Sequence, residues 1–164
     1  MSNEVDLEDP IDPDIDLHVA SQRRELLRSH APVLGVIGLG GGFGALARYG
    51  LALLLPGRPG GFPWATFTAN VLGCLLIGVL MVLITEVWSA HRLVRPFLGV
   101  GILGGFTTFS TYAVEIRGLI QPGTVRLAFV YLAGTLIGAM LAVLVGVWAA
   151  RTATGALGHP DRSA

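Results

Sequence analysis

Hydrophobic residues fall into four long runs along the chain, at about 32–55, 63–87, 96–118 and 125–150. Each run reaches the length of about 20 mainly apolar residues that a helix needs to cross the hydrocarbon core of a bilayer. The connections are short and carry turn-forming residues, such as Pro56-Gly57-Arg58-Pro59-Gly60-Gly61. Because backbone groups in lipid must be satisfied within the segment, the pattern predicts four transmembrane helices rather than barrel strands. We therefore predict an all-α integral membrane protein with both termini on one side.

Charge is concentrated at the two ends of the chain. Charged residues make up 13% of the sequence, about half the share of an ordinary soluble domain. Eight of them lie between Ala31 and Ala150, too few to cover a water-soluble fold of that size. Soluble enzymes, disordered proteins and nucleic-acid-binding domains are therefore poor interpretations, and no nucleic-acid partner is expected.

The polar ends divide the chain into three predicted regions. Residues 1–30 begin with seven acids and no base up to residue 16, which predicts a disordered acidic tail and not a signal peptide, because signal peptides begin with a basic segment. Residues 31–151 form the four-helix membrane domain, and 152–164 form a short polar tail. Arginines are unequally distributed: seven flank the side of the termini and three flank the other side. This bias predicts cytoplasmic termini.

Two polar side chains stand inside the first two runs. Arg48 lies about 10 Å of helix rise from the end of the first run. It either snorkels to the membrane surface or faces the protein interior, where it holds an anion or a helix end. Asn70 in the second run should face protein or water, either as a structural bond between helices or as a group that lines a pore.

The third run combines a glycine pair, Gly104-Gly105, with hydroxyl and aromatic residues directly after it. The glycine pair predicts a helix that breaks near its middle, and irregular backbone at this depth must lie in protein or line an aqueous cavity. Freed carbonyls there can coordinate a cation. Phe109 and Tyr112 share one helix face, and aromatic ring edges carry positive partial charge that can meet a small anion. Packing in a core remains the alternative interpretation of these rings.

Three segments resemble the Fluc (CrcB) family of fluoride channels, over about 31–150 of the chain. The first span carries Gly41-Gly42-Phe43-Gly44-Ala45-Leu46-Ala47-Arg48-Tyr49 and the second carries Phe67-Thr68-Ala69-Asn70-Val71-Leu72-Gly73. The third carries Gly104-Gly105-Phe106-Thr107-Thr108-Phe109-Ser110-Thr111-Tyr112 followed by Glu115. The resemblance implies a fluoride-selective channel in the plasma membrane that lets cytoplasmic fluoride leave passively and so lowers its toxicity.

The resemblance also implies the assembly and the residues of the site. Subunits are expected to pair as antiparallel dimers of the dual-topology type, with fluoride pathways along the interface. The pathway is expected to contain Phe109, Tyr112, Asn70, Ser110, Thr111 and Tyr131. Arg48 and Glu115 are expected at its vestibules. Main-chain carbonyls of Gly104 and Thr107 are expected to hold a structural sodium ion at the dimer centre, without an organic cofactor.

Some questions stay open at the level of sequence. The family usually has a second phenylalanine at the place of Tyr112, whose hydroxyl adds a donor and bulk. The arginine bias favours one preferred orientation, so the partner is either a second copy or an oppositely oriented paralogue. Alternative functions are a small four-helix multidrug-type exporter and a non-transporting membrane assembly factor. The exporter needs a carboxylate in the first span, where this chain has Arg48 and no acid. No enzyme activity is predicted, because the four histidines lie outside the four hydrophobic runs and Cys74 is the single cysteine.

Overall fold

The structure is a computed structural model that describes residues 20–87 and 92–157, with side chains described over 30–87 and 92–155. Within that part the chain is helical: α1 covers Ala20–Leu54, α2 Trp64–Val82, α3 Gly104–Phe106, α4 Ser110–Leu119 and α5 Val125–Leu157. A π-helical segment, Leu83–Val87, continues α2, and another, Pro96–Leu103, leads into α3. The described residues contain four stretches long and apolar enough to cross a membrane, namely His30–Leu54, Trp64–Val87, Pro96–Leu119 and Val125–Gly155. These four spans confirm the predicted all-α, multi-pass membrane fold.

Helical structure reaches further into both polar ends than the hydrophobic runs indicate. Because α1 begins at Ala20, residues 20–30 are helical, whereas the sequence analysis assigned them to the disordered tail. This stretch has no glycine or proline, and its three arginines, two leucines and one glutamate favour helix. α5 likewise continues to Leu157. The acidic segment 1–19 and residues 158–164 lie outside the described residues. The described residues divide into two units with the boundary between Pro32 and Val33, and the site lies in the second.

Glycines allow the helices to approach at backbone distance. A Cβ at Gly44 would overlap the carbonyl of Ile102, so the first and third spans touch along their backbones. A Cβ at Gly146 would overlap the carbonyl of Leu75 in the same way, which brings α5 against α2. Such contacts matter because lipid supplies no hydrophobic drive for helix association. Gly134, by contrast, has no described atom within 4 Å of its Cβ position apart from its chain neighbours and its own helix backbone.

The connections define the two ends of the helix bundle. The methyl group of Thr124 lies 3.6 Å from the Cβ position of Gly60, so the loop after α1 and the loop before α5 meet at one end. At the other end, Nη2 of Arg151 lies 2.8 Å from Oε1 of Glu86, which joins the C-terminal ends of the second and fourth spans. Trp148 of α5 is 67% exposed, as suits a helix face in contact with lipid.

Candidate functional site

Residues 107–109, which separate α3 from α4, are not helical. Thr107 has extended backbone angles, φ −79° and ψ 159°, and helical structure resumes at Ser110. The hydroxyl of Thr107 donates to the carbonyl of Leu103 at 2.9 Å, and its N–H donates to the same oxygen at 3.0 Å. These bonds close the end of α3, and we call residues 107–109 the interruption.

Asn70 of α2 holds the interruption through both halves of its amide. Its Nδ2 donates to the carbonyl of Thr108 at 3.0 Å, and the N–H of Thr108 donates to its Oδ1 at 2.8 Å. Because an asparagine amide offers one acceptor and two donors, it replaces both partners that the Thr108 peptide lacks outside a helix. The sequence places these residues 38 positions apart, and the fold makes them a bidentate pair.

Hydroxyl groups surround the start of α4. The Thr108 hydroxyl lies 3.2 Å from that of Thr111 and 3.3 Å from that of Ser110. It also accepts the N–H of Thr111 at 3.2 Å, which satisfies one of the free donors at this helix N-terminus. Ser110 is exposed and Thr111 is half-buried. The hydroxyls of Thr108, Ser110 and Thr111 therefore form one connected cluster.

Aromatic rings extend from the interruption toward the end of the bundle. Phe109 is 80% exposed, and its ring centroid lies 5.9 Å from that of Tyr112. Tyr112 in turn meets Tyr131 of α5 edge to face, at 5.1 Å. The hydroxyl of Tyr112 donates to the main-chain carbonyl of Leu132 at 2.8 Å. The added donor that the sequence analysis expected at this position is therefore committed to α5.

Glu115 receives two hydroxyl donors from different helices. Thr66 donates to its Oε1 at 2.9 Å, and Tyr131 donates to its Oε2 at 2.7 Å. Tyr131 is fully buried and packs with Leu119 and Ala128 in the core of this end of the bundle. A carboxylate at this depth needs such partners, because burial of an unpaired charge is costly. The arrangement joins α2, α4 and α5 through three polar side chains.

Two cavities collect the residues that the sequence analysis singled out. The arginine cavity, about 670 Å³, is lined by Arg48, Thr66, Thr111 and Glu115 among others. Nε of Arg48 donates to the carbonyl of Gly105 at 3.3 Å, so this side chain reaches the backbone of the third span.

The interruption cavity, about 360 Å³, is lined by Asn70, Gly104, Thr107, Thr108, Phe109, Tyr112, Thr135, Leu136 and Ala139. The contact between the Thr108 and Thr111 hydroxyls joins the linings of the two cavities. Polar atoms therefore continue from one cavity to the other.

Two residues of these cavities were missed by the sequence analysis. Thr135 is 5% exposed, and its hydroxyl has no hydrogen-bond partner in the described part of the chain. Thr66 is 6% exposed and bonds Glu115. Each stands one helical turn from a residue that was singled out, since Thr66 precedes Asn70 and Thr135 follows Tyr131 by four positions. Residues four apart share a helix face, and that spacing was the available signal.

The carbonyls of Gly104 and Thr107 lose their helical partners at the interruption. In a continuous helix the N–H groups of Thr108 and Thr111 would donate to them. These groups donate instead to Asn70 Oδ1 and to the Thr108 hydroxyl. Free carbonyl oxygens are suitable ligands for a hard cation such as sodium. The donor set at these two residues therefore fits the cation that the resemblance implies.

The sequence is similar to a protein family and to several named proteins. The family model described as CrcB-like protein, Camphor Resistance (CrcB), matches residues 35–147. A protein of Nocardia farcinica named fluoride-specific ion channel FluC 2 is 60% identical over 124 residues, covering 76% of this chain and 89% of the relative. One of Streptomyces avermitilis with the same name is 58% identical over 125 residues, covering 76% and 79%. Fluoride-specific ion channel FluC 1 of Streptomyces coelicolor is 54% identical over 135 residues, covering 82% and 88%. The chain belongs to the CrcB-like family.

Proposed function

We propose that this protein is a fluoride-selective channel that lets fluoride leave the cell passively down its electrochemical gradient. The names of its relatives support fluoride as the substrate. Hydrogen fluoride crosses lipid as a neutral acid and ionises inside the cell, so a route for the trapped anion lowers its toxicity. The protein supplies no chemistry in this process, and it acts as a channel in the cell membrane and not as an enzyme.

The observation that carries the proposal is the buried hydroxyl of Thr135 in the interruption cavity. It is 5% exposed and lacks a partner among the described residues. An unsatisfied buried hydroxyl costs about 1–3 kcal/mol, and a small anion that accepts a hydrogen bond from it removes this cost. Phe109 lines the same cavity, where its ring edge offers positive partial charge. Neither group carries a full charge, so the anion is held weakly enough to move on, as conduction requires.

The hydroxyl cluster gives the anion a continuous route. Thr108 lines the interruption cavity and Thr111 lines the arginine cavity, and their hydroxyl oxygens are 3.2 Å apart. Hydroxyl groups rotate, so each can turn its proton toward a passing anion. In this proposal Ser110 and Thr111 supply donors along the route, and Arg48 and Glu115 stand at its vestibule. Tyr131, which the sequence analysis placed in the pathway, instead donates its hydroxyl hydrogen to Glu115 and positions that carboxylate.

The working unit in this proposal is an antiparallel dimer. The interruption is then the break of the third membrane helix, and two such breaks meet at the dimer centre. Phe109 at 80% and Val114 at 70% exposure supply an apolar face beside the route, which a second subunit would cover. The partner is a second copy or an oppositely oriented paralogue, and the arginine bias supports a preferred orientation for this chain.

A sodium ion at the dimer centre is a further part of the proposal. The carbonyls of Gly104 and Thr107 would hold it, because their usual donors are engaged elsewhere. The ion would supply a fixed positive charge that stabilises carbonyl oxygens facing each other across the interface. It is a structural ion, and the fluoride route does not pass through it.

Growth of a fluoride-sensitive bacterium tests the function in a cell. We expect expression of the full chain to restore growth in fluoride and to leave growth in other halides unchanged. Phe109→Ile keeps the apolar bulk without the ring edge and serves as the inactive control. The comparison is then repeated with a paralogue co-expressed in both strains. Equal growth with the chain and with an empty vector in both comparisons, at confirmed membrane expression, contradicts the proposal.

A further inference from the structure

Arg58 decides the sign of the charge in the arginine cavity. The charged side chains that line this cavity are Arg48, Arg58 and Glu115. Two guanidinium groups against one carboxylate leave a net positive charge, and removal of Arg58 leaves none. Both oxygens of Glu115 accept hydrogen bonds from hydroxyl groups, while Arg58 makes no ion pair or side-chain hydrogen bond with any described residue. Its charge is therefore available to a mobile anion.

A tight turn fixes the position of Arg58 at the end of the bundle. The N–H of Gly61 donates to the carbonyl of Arg58 at 2.9 Å, and Gly60 has φ +71°. Proline at the second position and a positive φ at the third are the features of a type II turn. Pro59 locks its own φ, and Gly60 lies against the methyl group of Thr124. The backbone of Arg58 thus has little freedom to move away from the cavity mouth.

We propose that Arg58 makes the arginine cavity a collection site for small inorganic anions before they enter the pathway. This inference rests on the proposed function and adds a residue that sets the rate of ion entry. Arg48 donates to a main-chain carbonyl of the third span, whereas the side chain of Arg58 is unpaired among the described residues, so the two arginines have different roles. Arg126 belongs to the same end of the bundle and does not line the cavity, which makes it a matched control.

The proposal requires a specific dependence on salt and on fluoride concentration. A charge that collects ions raises the rate of entry and leaves the rate of transit unchanged. The range of its field is about 30 Å at 0.01 M salt and about 8 Å at 0.15 M. The contribution of Arg58 should therefore appear at low fluoride and low ionic strength. It should vanish when the pathway is saturated or when the charge is screened.

Fluoride efflux from liposomes, read with a fluoride electrode at a series of internal fluoride concentrations, tests this inference. Potassium gluconate adjusts ionic strength, because its large anion does not fit a fluoride route. At low ionic strength we expect R58Q to raise the half-saturating fluoride concentration about two- to fivefold, with the maximal rate unchanged. R58K should behave as the unaltered protein, and R126Q should show no effect. At about 0.15 M salt the curves of R58Q and the unaltered protein should coincide.

Several outcomes would overturn the inference. A lower maximal rate in R58Q at every ionic strength would mean that Arg58 supports the structure, and so would failure of R58K to restore flux. Equal curves for R58Q and the unaltered protein at low ionic strength would remove Arg58 from ion entry. The unaltered protein is measured first in the same liposomes. If the unaltered protein conducts fluoride and only the Arg58 effect is missing, the proposed function stands and the inference fails. If the unaltered protein shows no fluoride flux, either alone or with a paralogue, the proposed function and the inference both fail.

Discussion

Replacement of Asn70 by alanine removes both hydrogen bonds that hold the Thr108 peptide. Each unsatisfied buried group costs about 1–3 kcal/mol, and the lower value applies because the pair is only half-buried. The two losses together therefore weaken the interruption by about 2 kcal/mol. Since each 1.4 kcal/mol is a factor of ten, the equilibrium between this backbone arrangement and its competitors shifts by about 30-fold. We expect fluoride flux through Asn70→Ala to fall at least tenfold, since Thr108 joins the two cavities.

Asn70→Asp removes one of the two hydrogen bonds and adds a negative charge. The carboxylate keeps the acceptor for the Thr108 N–H, loses the donor to the Thr108 carbonyl and adds a negative charge to the interruption cavity. Its flux should be suppressed at least as far as that of Asn70→Ala. Thr85→Ala is the control, because it removes a hydroxyl that bonds only main-chain carbonyls of its own helix.

The assay for these variants is the initial rate of fluoride efflux from liposomes, normalised to protein that elutes as the unaltered protein does in size-exclusion chromatography. Thr85→Ala should match the unaltered protein. Unaltered flux in Asn70→Ala at a native elution position would refute the reasoning, because the bidentate contact would then not hold the conducting arrangement.

Three further predictions concern the ring, the helix contact and the tail. Phe109→Ile should reduce fluoride flux about tenfold or more, equivalent to about 1.4 kcal/mol for a lost ring-edge contact, and undiminished flux would discard this role. Gly44→Ala should lower the free energy of unfolding by about 1–3 kcal/mol, because its Cβ meets the backbone of the third span; Gly42→Ala, with no described atom within 4 Å of the Cβ position, is the control in a thermal melt. Deletion of residues 1–30 should leave flux intact, and its loss in a folded protein would show that the tail takes part.

The four spans could be predicted because a bilayer imposes length and composition on any helix that crosses it. The glycine contact at Gly44 was predictable for a similar reason, since close helix approach in lipid selects small residues. The π-helical segments Leu83–Val87 and Pro96–Leu103 have no comparable signal. A one-residue widening of the helix depends on packing around it and leaves the apolar pattern unchanged.

The contacts of the candidate site depend on the tertiary fold. Asn70 was recognised as a polar group out of place, but its pairing with Thr108 joins two helices with no local pattern between them. The hydroxyl of Tyr112 was expected as an extra donor, and its bond to Leu132 depends on where α5 lies. Thr66 and Thr135 were predictable from the four-residue spacing alone. Their burial, which makes their hydroxyl groups part of the candidate site, follows only from helix packing.

The most direct test of the central claim is halide efflux from liposomes that contain the purified chain alone, with fluoride and chloride measured in parallel. The account predicts rapid loss of fluoride and retention of chloride, as expected for a fluoride-selective channel. Chloride loss at the same rate as fluoride loss would contradict it. The account would also be contradicted if a folded sample showed no efflux of either ion and co-expression of a paralogue did not restore fluoride efflux.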